Sequence, residues 1–403
     1  MSPARLRMGP AARAAGRAIA LALALAAGPA AAAPIAAQAV GGAPVAARPA
    51  REYRAIVVSE SVDEAAMLRF GPDGLHVERT LPVGMSIIDP DGPHGVAVAP
   101  NQRHFFVSTA HGLPGGSLWK FDARTGDPVG RAVLGPFPAT VQVSPDGFYA
   151  WVVNFNLHGD MVPSSVSVVE TGEMVEVARI PTCTMPHGSR LNPQGTKHYS
   201  ACMMDEELVE IDARTFTVTR HFFLTAGREM GMPGTPPARG AAHVAHDMGG
   251  HGMEPPAPGD VGCSPTWAQP SADGGRVWVA CNKSSELVEI DVASWTLVRR
   301  SPAGPGIYNL AVTRDGTKVL ATNKRGQSVS VFDAASGREI ARIPTSKRIV
   351  HGVAVTEDDR YAFVTNEGIG SEKATVDVID LVALVRVATV EVGQQAGGID
   401  IVR

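Results

Sequence analysis

"VHGVAVTEDDRYAFVT", residues 350–365, carries the fold in miniature. Apolar and small residues alternate, a charged turn interrupts them, and the alternation resumes on the far side. This is the pattern of two antiparallel strands joined by a tight turn. The same pattern recurs as "PHGVAVAPNQRHFFVS" (93–108), "PATVQVSPDGFYAWVV" (138–153) and "PHGSRLNPQGTKHYSA" (186–201). It returns as "PTWAQPSADGGRVWVA" (265–280) and "IYNLAVTRDGTKVLAT" (307–322). A third strand follows each hairpin, as in "LVEID" (208–212 and 287–291), "VSVFD" (329–333) and "VDVID" (376–380). A fourth reads "EVARIPT" (176–182) or "EIARIPT" (339–345).

Four strands repeated at a period of about 45 residues cannot each bury a core alone, and such units stack into a ring. Six copies are complete. The segment from Tyr53 to about residue 84 supplies strands two to four of another, and "GGIDIV" (397–402) supplies a first strand. Joined, the two ends make a seventh unit and remove the open sheet edge of an incomplete ring. The expected fold is all-β, a seven-bladed β-propeller over residues 53–403, rather than a pair of β-sandwiches.

Before the first strand, Arg5, Arg7, Arg13 and Arg17 precede the run "AIALALALAAGPAAAA", followed by small-residue sites. A basic start, a short apolar stretch and small cleavage residues read as a signal peptide over 1–33. An Ala/Pro-rich linker follows to residue 52. The mature chain is therefore expected in the periplasm or outside the cell, without a membrane span. Removing residues 1–33 leaves 32 Lys and Arg against 40 Asp and Glu, so no basic footprint for nucleic acid exists. A monomer is expected.

"YAFVTNEG…VDVIDL" and "VLATNKRGQSVSVFD" resemble the YVTN repeats of exported bacterial propellers, the YncE-like proteins. The resemblance spans nearly all of the chain from residue 53. It implies architecture and leaves function open, because this fold carries lactonases, cofactor enzymes and pure binding proteins.

In a propeller the first strand of each blade lines the central channel. Aligning the copies on their turns puts His94, Ala139, His187, Thr266, Tyr308, His351 and Gly397 at the channel mouth. Glycine follows each histidine, at 95, 188 and 352, which frees space beside the imidazole and permits unusual backbone angles. Loops on the same face bring His111, His158, Met203 and Met204. Tyr308, Asn309 and Trp267 are expected to line the channel. A His/Met/Pro/Gly-rich insertion, residues 231–262, adds His243, His246, Met248, His251 and Met253, and should lie over the same face. Imidazole and thioether donors together favour copper over magnesium or calcium. "HVAHDMGGHGM" also looks like the Met/His-rich segments of copper-resistance proteins. Against this stand a structural role for the P-H-G turns and a plain polar loop at 231–262. His76, His104, His198 and His221 fall in strands away from the mouth and are read as solvent or packing residues.

Four cysteines form two repeat-equivalent couples, and in an oxidising compartment Cys183–Cys202 and Cys263–Cys281 are the favoured disulfides. Pairing across neighbouring blades, or thiolates serving as soft metal ligands near His187, remain open. Without C-x-x-C-H, covalent c-type haem is excluded.

The leading functional reading is an exported binding protein that holds a metal, copper favoured, or a small ligand on its histidine-rich face. An enzyme is the alternative. Nitrous oxide reductase keeps copper in a propeller's histidine ring, but only three of seven mouth positions here are histidine. A haem d1-type redox centre on His94, His187 or His351, or a lactonase-like site, are further enzyme readings. An interaction scaffold for another exported protein is the third class. No G-x-S-x-G, P-loop or H-E-x-x-H motif is present. Metal binding through imidazole is expected to weaken below about pH 6, because the ligating nitrogen must be free of its proton.

Overall fold

The computed structural model describes residues 48–85, 89–111, 115–235 and 262–403. The segment expected to be a signal peptide, nearly all of the expected linker, and His243, His246, Met248, His251 and Met253 lie outside the described residues. Among the described residues no helix is long and apolar enough to cross a membrane.

Seven antiparallel sheets form a ring, six of them with strands in simple sequential order. The seventh combines the last strand, β29 (Ala396–Val402), with β1 (Tyr53–Ser59) and the two strands after it. The pairing runs from Arg54 opposite Val402 to Ser59 opposite Ala396. The ring expected from the repeat, including its closure by both ends of the propeller, is the observed fold.

The inner strands are β4 (Pro93–Val98), β8 (Pro138–Val143), β12 (Pro186–Leu191), β17 (Pro265–Pro270), β21 (Ile307–Val312), β25 (Ile349–Val355) and β29. Most of them alternate small residues with Val, Leu and Ile, because facing sheets approach closely near the axis, while Pro265–Pro270 carries Trp267 instead. Larger side chains such as Trp151, Tyr199, Phe105 and Phe363 fill the wider space farther out, where they are fully buried. Each inner strand carries a register shift against its neighbour, for example at Pro93/Gly95, Pro186/Ser189 and Val350/Val353. Such a bulge re-aims the side chain beside it, and it puts the mouth residue and the residue three places later on the same channel wall.

Blade three departs from the pattern. Its outer strand β15 (Thr217–Phe223) is covered by a fifth strand, β16 (Met230–Pro233), with Phe223 opposite Met230 and Arg220 opposite Pro233. Gly231 lies flat on Trp295, where an added Cβ would sit 2.4 Å from the indole. The insertion therefore starts on the outer rim of blade three, not above the channel. The chain is described again at Gly262, whose neighbours Cys263 and Ser264 donate backbone N–H bonds to Glu206.

Both favoured disulfides are present, Cys183–Cys202 and Cys263–Cys281, and no described cysteine is free. They are not equivalent. Cys183 ends the outer strand Val175–Thr184 of blade two, so its bond to Cys202 ties blade two to blade three. Cys263–Cys281 closes the hairpin of blade four on itself. With chain separations of 19 and 18 residues, each bridge is expected to contribute about 3 kcal/mol by restricting the unfolded chain. Cys183→Ser/Cys202→Ser should lower the urea midpoint and steepen the slope as the unfolded chain expands, and reductant should reproduce the loss in the parent protein.

Candidate functional site: the channel mouth

The bulges aim His94, His187 and His351 at one point. Their exposures are 8%, 1% and 5%. The ring of His94 stands 6.1 Å from that of His187 and 5.5 Å from that of His351. Tyr308 fits between His187 and His351, at 5.2 and 4.9 Å. Below them the channel narrows to a cavity of about 30 Å³, room for a water or two, lined by Trp267 and Asn309 among others. Trp267 and Asn309 border this cavity, and Tyr308 stands between His187 and His351.

The three histidines have different environments. His187 uses both ring nitrogens: Nδ1–H donates to the Thr266 carbonyl at 2.8 Å, and Nε2 accepts the Tyr308 hydroxyl at 2.9 Å. A carbonyl only accepts, so this arrangement fixes the tautomer. No lone pair is left for a metal, and His187 is removed from the expected ligand set as it stands. His94 and His351 have no hydrogen bond to a described side chain within normal range, and His351 Nδ1 is buried without a partner. The His351 Nε2 lies 3.9 Å from Glu367.

The glycine after each histidine has a different task from the one expected. None of the three adopts a left-handed backbone. A Cβ on Gly95 would lie 2.1 Å from the Ala139 carbonyl oxygen, one on Gly188 2.4 Å from that of Thr266, and one on Gly352 2.7 Å from that of Gly397. Glycine is required because the next blade's inner strand presses against it.

His111 and His158 form a second group. Their rings stack at 5.5 Å, and both pack on Phe137. His111 bonds Glu60 at 3.2 Å, and this raises its pKa, so the ring favours the charged form. The Glu60 carboxylate thus favours the protonated ring, which competes with metal ligation there. Met203 packs at the edge of the apolar cluster around Phe137, and Met204 is exposed. Among the described residues no three His, Cys, Asp or Glu side chains are arranged to hold a metal ion.

Alignment of the mouth residues alone misses Lys324, Glu367 and Glu60. Each sits at the end of its blade's second strand, in "TNK", "TNE" and "VSE". The same repeat read at that position would have shown them. Lys324 lies 4.3 Å above the Tyr308 ring and 3.0 Å from Glu367. Burial opposes its charge, but the Tyr308 phenol and the Glu367 carboxylate outweigh it and the pKa rises. Burial raises the Tyr308 phenol, which stays protonated. Burial, then the Lys324 charge, drives His351 well below its ordinary range, and burial also lowers His94. The mouth therefore combines neutral imidazoles, a neutral phenol and one buried ion pair.

Of the histidines read as solvent or packing residues, His198 is fully buried. It stacks on Trp151 at 4.7 Å with neither nitrogen bonded. His221 is buried against Gly234 and His76 is surface-exposed.

No family model and no curated protein matches the chain. Solved structures do. The periplasmic gluconolactonase PpgL of Pseudomonas aeruginosa superposes with a TM-score of 0.64 at 19% identity, over 88% of this chain and 99% of that one. Hydrazine synthase of Kuenenia stuttgartiensis gives 0.56 at 20% identity, over 74% and 79%. The dihydro-heme d1 dehydrogenase NirN, solved with DHE, gives 0.54 at 14% identity, over 87% and 76%. At these identities the likeness is one of fold.

Burial holds the pKa of His187 and of His198 to about 3. Between that value and the unfolded value near 6.5, the unfolded chain takes up protons that the fold refuses. Stability therefore falls with falling pH, by about 1.4 kcal/mol per unit for each such histidine. His111 opposes this trend, because its raised pKa stabilises the fold at low pH. His198→Gln, measured by urea unfolding at pH 7, 6 and 5, should flatten the dependence by about one histidine's share.

Proposed function

We propose that this is an exported binding propeller that takes a copper ion at the channel mouth on His94 and His351. The observation that carries the reading is the pair itself: two buried, neutral imidazoles without strong hydrogen bonds, with ring centres 5.5 Å apart. With metal–nitrogen bonds of about 2.0 Å, two imidazoles bent about one ion at roughly 120° place their ring centres at about this separation, which leaves room for one further small ligand. The Lys324 ammonium nearby disfavours a strongly charged dication, although its pairing with Glu367 offsets this. Monovalent copper tolerates few ligands and accepts imidazole, so it suits the pair better than zinc, which wants four. The two disulfides suit an oxidising compartment, which supports export.

The test is copper content of the full chain after loading and desalting, by elemental mass spectrometry. About one ion per chain is expected, lost in His94→Ala and in His351→Ala. Deletion of 243–253 should leave it in place, and His187→Asn should lower stability while keeping the stoichiometry. Copper that survives both alanine variants, or no retained copper in the parent, would refute the assignment. Because burial already keeps both rings neutral, binding should persist below pH 6, where exposed imidazole sites lose their metal.

A further inference from the structure

The other end of the channel opens into a cavity of about 620 Å³ on the turn side of the ring. Three residues after each mouth position, the inner strands place Gln142, Arg190, Gln269 and Asp400 on its wall, with alanine at 97, 311 and 354. The polar members are unevenly spread. Gln142, Arg190 and Gln269 come from three adjacent blades, Asp400 comes from across the channel, and the alanines leave open space between them.

Arg190 is enclosed by the channel walls, with part of its surface facing the cavity. Its guanidinium lies 4.4 Å over the Trp267 ring. Nη1 donates to the Ser189 carbonyl at 2.8 Å, and no other acceptor meets the fork among the described residues. No described carboxylate forms an ion pair with it. Asp400 is the nearest acid in its electrostatic surroundings, but its two oxygens accept the backbone N–H groups of Val98 and Ile401. The rim charges are occupied too, since Arg314 and Arg403 both pair with Glu357. Gln142 gives its carbonyl oxygen to Leu191 N–H, and its amide nitrogen has no described acceptor. Burial lowers the guanidinium to about 10, so it stays charged at neutral pH.

A half-buried cation with most of its five donors unused and turned toward a cavity is a ready partner for an anion. We infer that the turn-side cavity is a binding site for a small organic monocarboxylate, held by the Arg190 fork, with Gln142 beside it and its apolar body against the aliphatic channel wall. The planar fork matches a carboxylate bidentately. One cation faced by Asp400 suits a single negative charge on an apolar body better than a doubly charged oxyanion. Arg190 stands at the boundary between this cavity and the small one beneath the mouth histidines, and its free donors do not depend on copper.

Calorimetric titration of the full chain with hexanoate, benzoate and inorganic phosphate tests this. Saturable binding of at least one carboxylate is expected, weakened about tenfold or more in Arg190→Gln and less in Arg190→Lys. Ala311→Leu, which fills the cavity and keeps the arginine, should weaken it similarly. Absence of saturable carboxylate binding to the folded parent overturns the assignment. So does unchanged affinity in folded Arg190→Gln, or phosphate binding more tightly than both carboxylates. If Arg190→Gln fails to fold, Ala311→Leu decides, and unchanged affinity there overturns it.

Discussion

The hub of this ring is held by side chains that cross from one blade to the backbone of the next. Ser108 donates to the Ala139 carbonyl, Thr140 to that of His187, Thr266 to that of Tyr308, Thr322 to that of His351 and Thr365 to that of Gly397. Each acceptor is the mouth residue of the following blade. Where blade three meets blade four the donor is an imidazole instead: His187 Nδ1 reaches the Thr266 carbonyl, and the Ser200 hydroxyl of blade three has no partner. These bonds draw the inner strands so close that only glycine fits beside several of them. Every chemical group in the channel is positioned by that closeness.

A seven-fold repeat becomes an asymmetric site because only the side chains differ from blade to blade. Blades five and six place Lys324 and Glu367 at equivalent positions, and blade seven places Glu60 there, so charge collects on one side of the mouth. Phe137 and Phe155 make the opposite side apolar, the first against His94 and the second against His187. Three residues deeper, polar groups stand on blades two to four and, as Asp400, on blade seven, with alanines on blades one, five and six. The two levels are thus polarised in different directions along one axis.

The period of the hairpins made the ring, its closure and the meeting of the three histidines legible in the sequence, because alternation and turn spacing are local signals. The disulfides were legible for the same reason, although that Cys183 ties two blades together was not, since it depends on where the outer strand of blade two ends. The structural duty of His187 was hidden. It depends on a carbonyl 79 residues away, in a strand that pairs with it in no sheet. The rim position of β16 was hidden too, because "MGMP" has no alternation of its own and becomes a strand only against β15.

The pairing of Arg54 with Val402 has a bearing on how the chain reaches its native state. Contacts within a blade join residues a few dozen positions apart and form early, whereas this one spans almost the whole propeller. Until the last strand is available, blade seven has no inner strand, and the hydrophobic faces of its neighbours stay open to water. A partially synthesised chain would therefore expose an apolar blade face at each end, and ring closure is expected to come late in folding.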